Sequence, residues 1–319
     1  MKKLFRIFII LSITALFLSC GQEATTYEAK KVLSKHLIER YGEEFEIGYM
    51  GRRSDGKEVW YEAEIYPSKY VGTPKERDKY YRESGTVNIK KGIFGEKLGK
   101  AGDTYGIVEV NESAEEFYGK RLKELFGDNV LQVYDIWFNR ILENYSFENI
   151  IKVSDEERTA LIIKGGIYIF GRVENDEDRE WYRKQIYEFI QFMKETGTFE
   201  YVDLNFTISD ERIFSDKFFN NSKLQLDMKK YGNYIEPKGR NQILNQTNKS
   251  YKNTNRKIIL DRINNLNKSN IDNEFYGIYW LYTKVYSPKY IESQKLKNKI
   301  KKEYNNIFDI EFSVEGYKD

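Results

Sequence analysis

The stretch FIQFMKETGTFEYVDLNFTI, residues 189–208, changes its hydrophobic period once, and that change decides the fold. Up to Glu195 the apolar residues Phe189, Ile190 and Met193 continue a set begun at Tyr182 and Ile186, the spacing of a helix that buries one face. Gly197 follows, a residue at ease in the left-handed conformation that closes a helix and turns the chain back. Beyond it Val202, Leu204, Phe206 and Ile208 alternate with Asp203, Asn205 and Thr207, the period of a strand. Helix, glycine, strand is therefore the local unit.

Three further stretches read alike: HLIERYGEEFEIGYM at 36–50, KRLKELFGDNVLQVYDI at 120–136 and KNKIKKEYNNIFDIEFSV at 297–314. Their stops fall at Gly42, Gly127 and Asn305. In the last, Phe308, Ile310, Phe312 and Val314 point one way while Asp309, Glu311, Ser313 and Glu315 point the other. Alternation with one wet face argues for antiparallel sheet. Helix starts are expected at Ser113-Ala114-Glu115-Glu116 and Ser154-Asp155-Glu156-Glu157, both of capping-box form. In ENDEDRE, Asn175 caps a helix over 176–195 and the acidic residues sit on its positive end. That cluster is not a calcium loop, because Arg179 and Gln185 stand where the EF-hand needs Gly and Glu.

A larger correspondence overlies the local one. The strand GIYIFGRV from Gly166, a helix, and the strand ending at Ile208 match GIYWLYTKV from Gly277, a helix, and a strand ending at Val314; KEVWYEAEIYP at 57–67 also alternates. The expected fold is α+β: antiparallel sheets with helices on one face, built from repeated α-β-β-α-β-like modules. The expected division is 27–138, 139–210 and 255–319, with an Asn-rich flexible connection over 211–254. Residues 67–102, polar and punctuated by glycine, read as a long excursion from the first sheet.

The N-terminus carries a different message. Lys2, Lys3 and Arg6 precede a dozen mostly apolar residues, too few to span a membrane, which needs roughly 20. The run ends Leu16-Phe17-Leu18-Ser19-Cys20-Gly21, which resembles the lipobox of bacterial lipoproteins. The resemblance covers the first 21 residues alone. It implies a signal peptide over 1–19, acylation of Cys20 and a short tether over 20–26. It further implies a cell-envelope location, in the outer membrane if the cell is Gram-negative, since Gly21 rather than Asp follows the cysteine. Phe17 and Leu18 depart from the commonest lipobox residues, which implies a processing enzyme of relaxed specificity. Two or three acyl chains give lasting anchorage.

Cys20 is the only cysteine and His36 the only histidine. A chain whose one thiol carries lipid has no disulfide, no cysteine nucleophile and no sulfur-bound zinc. No G-x-S-x-G or H-E-x-x-H occurs, and the glycines at 92–106 lack a following G-K-[ST], so no cofactor or metal is expected. His36, in SKHLIER, is expected on a helix surface. Carboxylate pairs could cleave glycan; the candidates are Glu43, Glu44, Glu62, Glu64, Glu115 and Glu116, with Glu62 and Glu64 on the wet face of a strand.

The net charge of +2 hides two ends. Residues 223–302 hold 18 Lys and Arg against 6 Asp and Glu, whereas residues 20–220 are acidic on balance. Lys295, Lys297, Lys299, Lys301 and Lys302 are expected on one helix, and Arg256, Lys257 and Arg262 on another. Such a surface suits an anionic lipid, glycan or protein partner; nucleic acid is disfavoured outside the cytoplasm. The reading is a lipid-anchored envelope protein that binds rather than catalyses, with a carboxylate-dependent glycan hydrolase as the alternative and an inhibitor-type partner as a third.

Overall fold

The computed structural model describes residues 23–92, 95–138, 142, 145–157, 161–214, 256–271 and 279–313. Two compact units divide the chain, Met1–Gly106 and Ile107–Asp319. The architecture is α+β, as the sequence implies.

In the first unit α1 (Thr26–Tyr41) starts with a reciprocal cap between Thr25 and Glu28 and ends at Gly42, whose φ is 69° and whose N–H returns to Ile38 O. Its buried residues, Ala29, Leu33 and Leu37, face strands β1 (Phe45–Ile47), β2 (Gly51–Ser54), β3 (Val59–Pro67), β4 (Glu83–Gly92) and β5 (Gly95–Asp103). The order is β1-β3-β4-β5, all antiparallel, with β2 also on β3, so β1 and β2 share one edge. Tyr61, Ala63 and Ile65 of β3 are buried in strict alternation. At Gly85 a Cβ would lie 2.8 Å from Leu33 Cδ2, so glycine lets α1 close on β4.

The expected excursion over 67–102 is corrected here, because it contains β4 and β5. The strand signal was weak for a physical reason: β5 has only Leu98 and Ala101 as apolar residues and runs along an edge studded with lysine.

The second unit comprises α2 (Gly106–Phe126, entering from the boundary), β6 (Val130–Phe138), α3 (Phe147–Glu157), β7 (Leu161–Gly171), α4 (Asp176–Glu195), β8 (Val202–Asp210), α5 (Arg256–Asn264), β9 (Tyr279–Tyr286) and α6 (Pro288–Ser293). The sheet order is β6-β7-β8-β9. β6/β7 and β8/β9 are antiparallel, whereas β7/β8 is parallel. A 20-residue helix, about 30 Å long, carries the chain back between β7 and β8, as a parallel crossover requires. Residues 106–138, assigned from sequence to the first module, join this sheet through β6.

Tyr182, Ile186, Phe189, Ile190 and Met193 of α4 pack with Val202, Leu204, Phe206 and Ile208 of β8 in one cluster, with Tyr118 and Leu122 of α2 and Phe147 and Ile150 of α3. Each such side chain contributes about 1.5–3 kcal/mol when fully buried. The three helices share one sheet face. On the other, α5 adds Ile259 and Ile263 against Tyr168, Phe170 and Phe214. Phe214 ends a 3-10 turn (Glu211–Phe214), so the first residues of the expected flexible connection are structured; residues 215–254 and Cys20 lie outside the described residues.

Gly127 and Gly197 adopt φ of 79° and 73°, closing α2 and α4 as expected. Both serine caps are corrected. α2 starts well before Ser113, its buried Val108 and Val110 extending the helical period backwards. Ser113 Oγ instead accepts the Phe147 N–H at 2.9 Å, capping the start of α3 from another helix. Ser154 lies within α3.

The described part of the last stretch, residues 297–313, forms neither the expected helix nor the expected strand. After α6 the chain runs without helix to a 3-10 turn at Ile307–Asp309, and Ser313 makes a single antiparallel bridge to Tyr282. KNKIKK offers one apolar residue, Ile300, left 80% exposed, and a helix with no face to bury is not stable in water. Lys295 and Tyr304 take left-handed φ of 53° and 50°. Ile310 and Phe312 are buried, held by Arg183 of α4, whose guanidinium donates to Ile310 O and faces the Phe312 ring at 5.3 Å.

Candidate functional site

The strongest convergence of polar chemistry in the first unit centres on Asp103, the last residue of β5. Its side chain is 0% exposed. His36 Nε2 lies 2.7 Å from Oδ2, and an Arg40 guanidinium nitrogen 3.5 Å from the same oxygen. Tyr41 donates its hydroxyl to Oδ1 at 2.5 Å, and the Tyr105 N–H donates to Oδ1 at 3.0 Å. His36 and Arg40 stand one helical turn apart on α1, so both reach one carboxylate. Tyr41, Phe45 and Tyr105 surround the site, with ring centroids 4.8–5.4 Å apart.

Glu83 adjoins this centre. Its carboxyl accepts the Thr104 hydroxyl, and Ser84 N–H meets Thr104 Oγ1 at 3.0 Å. Burial pushes the Glu83 carboxyl above its ordinary range; the bonds from Thr104 and Ser84 oppose that, and the charge of Asp103 adds to it.

Asp103 is thus enclosed, with both oxygens engaged. It ties α1 to the end of β5 and has no open path to a substrate; His36, Arg40 and Tyr41 are each partly exposed. The expected helix-surface His36 is in place, but its partner lies 67 residues away and no motif announces it. The one available signal was that His36, Arg40 and Tyr41 sit within two turns of one helix.

The carboxylates named from sequence are dispersed. Lys69 holds Glu43 at 2.9 Å, Ser84 Oγ donates to Glu62 at 3.0 Å, and Arg82 holds Glu64 at 3.0 Å. Lys268 grips both oxygens of Glu115 at 2.5 and 2.6 Å, while Glu44 and Glu116 are exposed. Among the described residues no group of three His, Cys, Asp or Glu is placed to hold a metal ion. No described helix is long and apolar enough to cross a membrane.

The basic candidates fall on two separate elements of the second unit. α5 carries Arg256, whose side chain lies outside the described set, together with exposed Lys257 and half-buried Arg262, which donates to Phe214 O. The others follow α6 on non-helical chain. Lys301 pairs with Glu292 at 2.5 Å, and Lys302 reaches Asp309 O and Glu311 at 3.0 Å. Lys299 lies over the Tyr286 ring, and Lys295 and Lys297 are exposed. The single lysine-bearing helix expected from sequence is replaced by this turn.

No family model matches the chain, and comparison with curated proteins gives no match. Among solved structures the chain is similar to a DUF5037 family protein from Ruminococcus gnavus ATCC 29149. Identity is 14% over 56% of this chain and 74% of the other, with a TM-score of 0.35.

Proposed function

We infer that the chain is a lipid-anchored protein of the bacterial envelope that works by binding. The observation carrying this reading is the sequence Leu16-Phe17-Leu18-Ser19-Cys20-Gly21 behind a basic, apolar leader. The start of the folded body is compatible with it: Ala24 is buried, and its carbonyl accepts the Tyr61 hydroxyl at 2.5 Å. Ala24, fixed to the body, stands four residues after the residue that would carry lipid. Binding rather than catalysis is supported by the closure of Asp103 and the dispersal of the other carboxylates. Exposed Lys257, Lys295 and Lys297 suit an anionic envelope component or an acidic protein surface.

The test is intact mass and detergent partitioning of the native protein beside a Cys20→Ala variant. Acylation at residue 20, lost in the variant together with detergent partitioning, is the expected result. A freely water-soluble protein cut elsewhere would sink the anchor.

A second reading, a carboxylate-dependent glycan hydrolase, is favoured by one observation: Glu83, only half-buried beside the enclosed Asp103, is held toward its protonated form, as a general acid requires. Release of soluble fragments from purified peptidoglycan, abolished by Glu83→Gln, would establish it.

A further inference from the structure

We propose that the outer face of α1 is a membrane-docking surface that lies on anionic lipid headgroups; this rests on the lipid anchor inferred for Cys20. Three residues separate Cys20 from Ala24, and four steps of extended chain reach at most about 14 Å. Ala24 is fixed to the body: Tyr61 donates to its carbonyl, and its N–H bonds to Glu96, which Arg52 also grips at 2.5 Å. An acyl chain at residue 20 therefore holds the first turn of α1 close to the bilayer surface.

What α1 presents away from the sheet fits that position. The face turned from Ala29, Leu33 and Leu37 forms an open concave surface lined by Tyr27, Lys30, Lys31, Lys35, Ile38 and Glu39. Tyr27 is 66% exposed and Ile38 44% exposed. Lys31 Nζ stands 4.5 Å over the Tyr27 ring, and Lys35 is held loosely by Glu39 at 3.6 Å. An aromatic ring and an aliphatic tip flanked by lysines form the composition of an interfacial helix: the apolar groups enter the headgroup boundary and the ammonium groups stay among the phosphates. From Tyr27 to Ile38 the helix rises about 16 Å, so a helix lying flat brings both ends of the stripe to the surface together. Lys30, Lys31 and Lys35 against Glu39 give this face a net positive charge, with Lys30 Nζ also donating to Ile47 O, and that charge favours an anionic surface.

The test uses the mature chain 20–319. Its one cysteine is coupled to a maleimide-headgroup lipid in vesicles, so anchorage at residue 20 does not depend on cellular processing. A water-soluble acetylating reagent then reads lysine accessibility by mass spectrometry. On vesicles rich in phosphatidylglycerol, Lys31 and Lys35 are protected roughly ten-fold relative to phosphatidylcholine vesicles, while Lys57 is unchanged. High salt and the variant Tyr27→Asp/Ile38→Asp each remove the protection. Equal labelling of Lys31 and Lys35 on the two lipids overturns the proposal. Protection on both lipids that grows with protein density also overturns it, assigning the face to a second copy. Intact mass of the native protein reads acylation separately, so an unmodified Cys20 sinks the anchor whatever the vesicles report.

Discussion

Removing the Asp103 carboxylate is the sharpest perturbation of the first unit. In Asp103→Ala the Tyr41 hydroxyl and the Tyr105 N–H lose their common acceptor, and His36 and Arg40 lose the charge they face. Hydrogen bonds to a charged group contribute about 1.5–3 kcal/mol each, but they are not additive around one acceptor. Removing one partner of a buried pair costs about 3–5 kcal/mol, and the full enclosure of Asp103 puts this variant in that range. Asp103→Asn keeps an oxygen for Tyr41 and Tyr105 and leaves a polar amide facing His36. Its cost is about 1–2 kcal/mol, chiefly the lost attraction to Arg40. Because the chain divides into two units, the assay is one that reads each separately: native-state hydrogen exchange of the mature chain, on peptides covering 26–41 and 83–103. The Ala variant should lose at least a hundred-fold in protection, about 2.8 kcal/mol at 1.4 kcal/mol per decade, with second-unit peptides unchanged. A loss of less than about 1 kcal/mol, or equal losses for Ala and Asn, would refute the account of Asp103 as the tie between α1 and β5.

Gly197→Ala should cost about 1 kcal/mol in the second unit and Gly197→Asn less, because φ is 73° and no atom lies within 4 Å of an added Cβ; urea titration reads the difference. Glu83→Gln tests the carboxyl raised by burial. A folded value above the unfolded one contributes stability below about 4.5 that is lost as pH rises through the folded value, so at neutral pH the ionised group is a net cost. The Gln variant should melt higher than the parent at neutral pH, with the gap closing as pH falls toward 4.5; a gap constant with pH would contradict this. Lys268→Ala leaves Glu115 largely enclosed without its cation and should cost about 2 kcal/mol, much of it recovered in Lys268→Met/Glu115→Leu by a double-mutant cycle in denaturant.

α4 was legible to the residue because every signal for it is local: Asn175 caps it, five apolar residues keep one period, and Gly197 ends it. β3 was equally open, since Tyr61, Ala63 and Ile65 alternate against a polar set. β5 was hidden because an edge strand needs few apolar residues; its pairing with β4 supplies what composition does not. Residues 297–314 show the reverse failure. Their alternation is real, and Ile310 and Phe312 are buried, but burial comes from Arg183, Gln191 and Lys194 of α4 gripping the backbone of Tyr304 and Ile310, not from a ladder. The Asp103 centre was illegible because it joins a helix to a strand end across four intervening strands.

The helix–Gly–strand unit recurs three times in the described chain, and the strand that follows the glycine behaves differently each time. After Gly42 it is a short edge piece on β3; after Gly127 it pairs antiparallel with β7; after Gly197 it lies parallel to β7. The glycine fixes only the reversal, since it supplies the left-handed residue and satisfies the last helical carbonyls. Pairing direction is set by what precedes the helix. β7 runs straight into α4, so the return strand must start where β7 started and run alongside it. α1 follows no described strand, and its short β1 joins the edge already formed by β3. Sequence therefore reveals the turn reliably and the sheet partner poorly, because the turn is decided within ten residues and the partner by the whole crossover. The same separation of scales governs the proposed surface: the Tyr27–Ile38 stripe is local and readable on one helix, but its orientation depends on Asp103, Gly85 and Ala24 locking that helix to strands distant in sequence.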